Sequence, residues 1–287
     1  MGRIGIIGGS GLYDIEGLGE KKRISLDTPF GKPSDDFLLA KLEGREIVFL
    51  SRHAKGHKIS PSAINYRANI YAMKSLGVER IISFSACGSL QEKYKPLDFV
   101  IPDQFVDRTK QARNNTFFDE GLAVHISLAQ PICNDLAQSV YRACKEVGVN
   151  VHLGGTYLNI EGPQFSTKAE SNLYRNWGMD IIGMTNMTEA RLAREAEICY
   201  VTVAAVTDYD CWHESHASVT VEMIVDNLKK NAANFKMILK EALPLINEQR
   251  NCACQEALRY SIITNPELIP RKIKQRLNII IGKYLNK

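Results

Sequence analysis

The sequence predicts an α/β fold: one domain with a mixed central β-sheet and helices on both faces. Three observations predict it. Short β-branched, apolar runs alternate along the chain with stretches of helical periodicity. A hairpin is interposed, its strands at 37–42 and 45–50 alternating across Glu43-Gly44, so the sheet is mixed. Several strands end in glycine, hydroxyl or charged residues, and ligands bind beyond the carboxyl ends of strands in such sheets.

Composition bounds the rest. The chain has 287 residues, 45% hydrophobic and 24% charged, as an ordinary soluble globular protein does. A net charge of +4 is too small to imply nucleic acid but suits an anionic substrate. No apolar run approaches the ~20 residues of a membrane span. The start, Met1-Gly2-Arg3-Ile4-Gly5, lacks a signal-peptide layout, so cytoplasm is the default expectation. Residues 1–245 read as the α/β domain. Residues 246–287 read as a basic tail (Arg271, Lys272, Lys274, Arg276, then Ile279-Ile280-Ile281) of one or two helices packed on it.

In order, residues 3–8 form a first strand that runs into Gly8-Gly9-Ser10-Gly11. Glycines there let backbone N–H groups converge on an anion, with Ser10 as an extra donor. The spacing matches neither the dinucleotide fingerprint nor a P-loop. The strand at 45–50 ends in Ser51-Arg52-His53, followed by Lys55 and His57. Arg offers a bidentate fork to an anion and His a further donor. Ser60-Pro61 reads as the start of a helix ended by Gly77. Strand 81–86 leads into Cys87-Gly88-Ser89, and a short strand lies at 98–101. Residues 107–120 read as irregular, and 131–147 as a helix stopped by Gly148.

Strand 151–160 carries a Gly154-Gly155 interruption and ends in Glu161-Gly162-Pro163-Gln164-Phe165-Ser166. A capping box, Thr167 with Glu170, then starts a helix. Strand 180–184 ends in Thr185, residues 188–197 are helical, and a long helix over 219–243 ends at Pro244. Between these two helices, the run 203–206 ends in Thr207-Asp208-Tyr209-Asp210. Extended geometry puts both carboxylates on one side, where each raises the other's pKa. On spacing alone a turn or a helix cap is the commoner explanation of such a pair.

Cys87, Cys133, Cys144, Cys199 and Cys211 sit in apolar segments and read as core thiols. Cys252-Ala253-Cys254 reads as a disulfide or free thiols rather than a metal site, because two ligands do not make one and no His is near.

The segments IGIIGGSGLYD, DTPFGKPSD, SRHAKGH, INYRANIYAMKSLG, ACGSL, DQFVDRTK, IEGPQFSTKAES and VTDYDCW resemble the purine nucleoside phosphorylase superfamily, and within it the 5'-methylthioadenosine phosphorylases. They span nearly all of residues 3–245. The tail with its Cys-x-Cys is similar to the archaeal and thermophilic bacterial branch. The resemblance implies attack of phosphate on 5'-methylthioadenosine, release of adenine and 5-methylthioribose 1-phosphate, no metal or organic cofactor, and a homotrimer or homohexamer. It implies that Ser10, Arg52, His53, Ser85, Ala86 and Thr185 hold phosphate. Met184 then meets the ribose and Phe165 the base. Asp208 protonates purine N7, while Asp210 and Ser166 complete base recognition. Thr207, His57, Val221 and Ile224 lie near the 5'-methylthio group, and His125 reaches across from a neighbouring subunit. A 6-oxopurine nucleoside or 5'-methylthioinosine phosphorylase is the nearest alternative. A nucleotide-binding protein without turnover is a further one.

Overall fold

The structure, a computed structural model, describes residues 2–109, 114–119, 121–213 and 221–285, with the side chains of residues 10, 13 and 221–225 outside that description. The strands are β1 (Arg3–Gly8), β2 (Gly19–Ile24), β3 (Phe37–Leu42), β4 (Arg45–Ser51), β5 (Val78–Ser89), β6 (Phe99–Ile101), β7 (Gln104–Arg108), β8 (Val151–Leu153), β9 (Thr156–Ile160), β10 (Ile181–Gly183) and β11 (Cys199–Asp208). The helices are α1 (Tyr66–Ser75), α2 (Asn134–Val147), α3 (Lys168–Asn176), α4 (Asn186–Glu195), α5 (Val221–Leu245), α6 (Arg271–Arg276) and α7 (Asn278–Leu285).

All eleven strands belong to one sheet, ordered β2-β3-β4-β1-β5-β10-β9-β7, with β11 branching from β5 and continuing to β6 and β8. It is mixed, as the hairpin foretold: β4, β1, β5 and β11 are mutually parallel, while β3 pairs antiparallel with β4. Every residue of β11 up to Thr207 is buried. A strand so apolar needs cover on both faces, and α2, α4 and α5 all contact it. Tail residues Leu258, Ile269, Ile273, Leu277 and Ile280 belong to the same apolar core as β1 and β4.

Several elements differ from expectation. The helix expected from Ser60 begins at Tyr66, because the Asn65 side chain accepts the Ala68 N–H and Pro61–Ala63 forms only a 3-10 turn. β5 continues through Cys87-Gly88 to Ser89 because β11 and β10 pair with that extension. Gly154-Gly155 divides β8 from β9. α5 runs one residue beyond Pro244, which removes a single hydrogen bond in the last turn. Among the described residues β2 and β7 are strands that sequence patterning missed. β2, Gly-Glu-Lys-Lys-Arg-Ile, is an exposed edge strand and has no apolar face to announce it.

The cysteine reading also changes. All seven thiols are free, so Cys252 and Cys254 are not bridged. They are not an isolated pair either: the Sγ atoms of Cys133, Cys199, Cys252 and Cys254 all lie within 4.8 Å of one another.

Candidate active site

The parallel strands bring their carboxyl ends to one edge. Gly8 pairs with Ser51, Ile7 with Ser83, and Asp208 with Gly88. β10 runs antiparallel to the end of β5, with Ile182 opposite Gly88. Continuing that register leads Met184 and Thr185 back along Ala86 and Ser85. Residues 8–11, Arg52, Ser85, Ala86, Thr185 and Asp208 therefore converge from separate parts of the chain.

Arg52 is 3% exposed, and its guanidinium is largely engaged within the protein. Its Nε and Nη2 donate to the two Glu189 oxygens at 2.5 and 3.1 Å. Nη2 also donates to Ser83 Oγ at 2.6 Å, and Nη1 to the Phe84 carbonyl at 3.0 Å. Burial works against the guanidinium charge, but the Glu189 carboxylate outweighs it and holds the pKa above its ordinary value. The fork expected to face an anion thus faces Glu189, and of the five N–H groups one, on Nη1, is left over. Glu189 also accepts from Ser83 and Tyr200, while Asn186 donates to Ser83, Tyr200 and Thr202. This buried polar network locks the start of α4 against β5 and β11. Thr185, 3% exposed, is the N-cap residue of α4, and its hydroxyl donates to Asn186 Oδ1 instead of capping the helix.

His53 departs from its expected donor role. Burial, then the neighbouring Arg52 charge, lowers its pKa to about 4, so the ring is neutral near pH 7. Nδ1 lies 2.8 Å from the Ile59 carbonyl and must carry the proton. Nε2 is then an acceptor. The exposed His57 ring stacks on it, centroids 4.2 Å apart.

At the end of β11 the carboxyl pair is built, not solvated. Asp208 Oδ1 accepts the Asp210 N–H at 2.8 Å and its Oδ2 lies 2.6 Å from Thr207 Oγ1. Thr207 Oγ1 also lies 3.1 Å from the Cys87 carbonyl. One hydroxyl proton cannot serve both acceptors. When Asp208 is ionised, Thr207 donates to it; when Asp208 is protonated on Oδ2, it donates to Thr207 and Thr207 donates to Cys87. Both protonation states are therefore satisfied. Thr207, expected beside a 5'-substituent, is 3% exposed and faces Asp208. Burial pushes the Asp208 carboxyl up, the two hydrogen bonds oppose this, and Asp210 adds to it. Gly88 makes room: a Cβ there would come within 3.0 Å of Asp208 Oδ1.

Asp210 is 7% exposed and holds a left-handed backbone, φ 51°. Burial raises its pKa, opposed first by Ser171 and then by the Cys211 N–H and Ser166. Yet the Ser166 and Ser171 hydroxyls are buried and close no hydrogen bond of good geometry. Buried hydroxyls without a well-aligned partner are uncommon in folded proteins, and these two stand beside a carboxyl. Cys211 Sγ reaches the Ser166 carbonyl at 3.3 Å and Trp212 Nε1 donates to the Ser89 carbonyl at 2.8 Å, which fixes this turn.

The loop before α3 presents Phe165, 62% exposed, from the same segment as Ser166. Ser85 is buried and donates to the Ala86 carbonyl; Ala86 and Met184 are half-buried. His125 is exposed in a loop whose backbone bonds Ser261, and no described hydrogen bond ties its side chain to the strand ends. The side chains of Ser10, Val221 and Ile224 lie outside the described residues. Sequence reasoning missed Glu189, Ser83, Asn186 and Ser171. Only their burial distinguishes them from ordinary polar positions.

Comparison with known proteins gives a consistent outcome. The family model described as "Phosphorylase superfamily" matches residues 3–244. The S-methyl-5'-thioadenosine phosphorylase of Geobacter sulfurreducens is 55% identical over 282 residues, covering 98% of this chain and 99% of that protein. That of Koribacter versatilis is 56% identical over 281 residues, with 98% and 96% covered. A methylthioadenosine phosphorylase from an antarctic soil metagenomic library superposes with a TM-score of 0.93 at 48% identity, covering 97% of this chain and 98% of that one. The methylthioadenosine phosphorylase of Schistosoma mansoni, solved with adenine, gives 0.84 at 36% identity, covering 91% and 99%. Sequence along nearly the whole chain and the superposed fold agree: the chain belongs to the phosphorylase superfamily and, within it, to the S-methyl-5'-thioadenosine phosphorylase family.

Proposed function

We propose that the chain is a pentosyltransferase that cleaves 5'-methylthioadenosine with phosphate, releasing adenine and 5-methylthioribose 1-phosphate. The observation that carries this reading is the carboxyl pair at the end of β11. Asp208 is satisfied in both protonation states, and Asp210 stands beside the buried hydroxyls of Ser166 and Ser171.

In this reading a phosphate oxygen bonds to the anomeric carbon as the bond to purine N9 breaks. The electron pair of that bond passes to the purine, which takes a proton at N7 from Asp208. Charge develops with opposite signs on ribose and base, so the site must stabilise both. Backbone N–H groups of residues 8–11, Ser85, Ala86 and Thr185 at the start of α4 hold the phosphate. Arg52 contributes its charge and its one remaining N–H. Neutral His53 accepts a proton-bearing phosphate oxygen at Nε2. Met184 meets the ribose, Phe165 the base face, and Asp210 with Ser166 the 6-amino edge. His57 lines the 5'-substituent. Phosphate enters as substrate, and no residue role here calls for a cofactor.

The reading includes a homotrimer or homohexamer, with exposed His125 completing a neighbour's site. Sedimentation checks it: a fully active monomer contradicts this assignment.

The test of the function is adenine release from 5'-methylthioadenosine with and without phosphate. Release that requires phosphate is expected. Release without phosphate, or none in its presence, contradicts the proposal.

A further inference from the structure

We propose that Cys133, Cys199, Cys252 and Cys254 form a structural site for one tetrahedral divalent transition-metal ion of the zinc type. The four Sγ atoms lie within 4.8 Å of one another, and those of Cys199 and Cys252 are 3.3 Å apart. A zinc ion with bonds of about 2.3 Å to four thiolates sets its sulfurs about 3.8 Å apart. The observed cluster brackets that spacing. It is the sole group of three or more His, Cys, Asp or Glu side chains able to share an ion among the described residues.

The surroundings suit an anionic four-thiolate centre. Cys133 is the N-cap residue of α2, a helix of 14 residues, and its thiol caps nothing. A helix N-terminus favours a thiolate. Cys133, Cys199 and Cys252 line a cavity of about 30 Å³ with Arg80, Arg250 and Asp135, and both guanidinium groups also lie within 3.7 Å of Glu79. Arg80 Nη1 is buried and closes no hydrogen bond; its nearest acid is Glu79, 3.6 Å away. Guanidinium groups on the cavity wall lower the cost of thiolate charge beside them. The cavity also provides a way in for the ion.

Four protein ligands leave no open position, so the site is structural and not catalytic. It joins three places far apart in sequence: the start of α2, the start of β11 and the segment entering the tail. β11 ends at Asp208, so the same strand that carries the candidate acid is pinned at its other end.

The test uses the full-length protein, purified under anaerobic reducing conditions without chelator. Elemental analysis should find one zinc-type ion per chain. Replacement by Co²⁺ should give a thiolate-to-cobalt charge-transfer band and the visible bands of a tetrahedral site. Cys133→Ser and Cys254→Ser should each abolish them, while Cys144→Ser, a buried thiol outside the cluster, keeps them. Chelation should lower the thermal midpoint of the wild type. The wild-type cobalt spectrum does not depend on any variant folding. Absence of both a stoichiometric ion and the cobalt–thiolate band overturns the proposal. So does a band that survives Cys254→Ser, or a pair of disulfides among these four residues in the anaerobic protein.

Discussion

Arg52 and Glu189 meet as a buried, two-pronged ion pair, Nε to Oε1 at 2.5 Å and Nη2 to Oε2 at 3.1 Å, although the two residues are 137 positions apart. The pair joins the end of β4 to α4 and is the charged centre of the buried network on which the residues assigned to phosphate sit.

Glu189→Gln keeps the shape and removes the counter-charge. Breaking a buried pair from one side costs roughly 3–5 kcal/mol, and the amide's remaining hydrogen bonds favour the lower end. Urea unfolding at neutral pH should show that loss. Arg52→Ala should be destabilised similarly and should raise the phosphate KM more than about tenfold, with a smaller change for the nucleoside. Wild-type stability in Glu189→Gln would refute the account of this frame.

His53 gives a pH dependence of defined sign. Its pKa falls from 6.5 to about 4 on folding, through burial and then Arg52. Below pH 6.5 the unfolded chain binds a proton that the native site refuses. The stability due to neutral His53 is complete above pH 6.5, declines as pH falls, and is gone near pH 4. Its full size is at most about 3 kcal/mol. Glu195, pushed up to about 7 by burial, acts with the opposite sign but is common to wild type and variant. Wild type should therefore lose stability relative to His53→Gln between pH 6.5 and 4. Two parallel stability curves would show that the ring is not shielded.

Asp208→Ala should lower kcat by about 10²- to 10⁴-fold, the range of a lost general acid, with little change in the phosphate KM. Thr207→Val removes the hydroxyl that satisfies both states of Asp208 and should shift the acid's apparent pKa in the kcat–pH profile. Steady-state rates decide both. A kcat within about threefold of wild type in Asp208→Ala would return Asp208 to a turn residue.

The site was legible where chemistry is local in sequence. The glycines at the end of β1, Arg52-His53 after β4 and Thr207-Asp208 closing β11 each follow an apolar run that marks a strand end. The Thr167–Glu170 capping box forms as its spacing requires. What was hidden is tertiary. Glu189 lies in a helix with Arg191 and Arg194, where a charged residue reads as solvated, and its burial depends on Arg52 far upstream. Ser171 looks like any helix surface serine. Cys133 and Cys199 each read as a core thiol, because nothing local shows them converging on Cys252 and Cys254. Ser60-Pro61 reads as a helix start, but Asn65, directly before Tyr66, is the residue that caps α1.

In the proposed reaction Asp210 is assigned to the 6-amino group of the purine. An ionised Asp210 accepts from that amino group and has nothing to donate to a 6-oxo group. A site built on one hydrogen-bond pattern rejects the analogue lacking it by up to ~10⁴-fold. Asparagine tolerates the left-handed backbone at this position and can turn its amide to donate to O6. The measurement is kcat/KM for 5'-methylthioadenosine and 5'-methylthioinosine in wild type and Asp210→Asn. The account predicts strong preference for methylthioadenosine in wild type, shifted by at least about tenfold towards methylthioinosine in the variant. A wild type that prefers methylthioinosine, or a variant with unchanged preference, would contradict it.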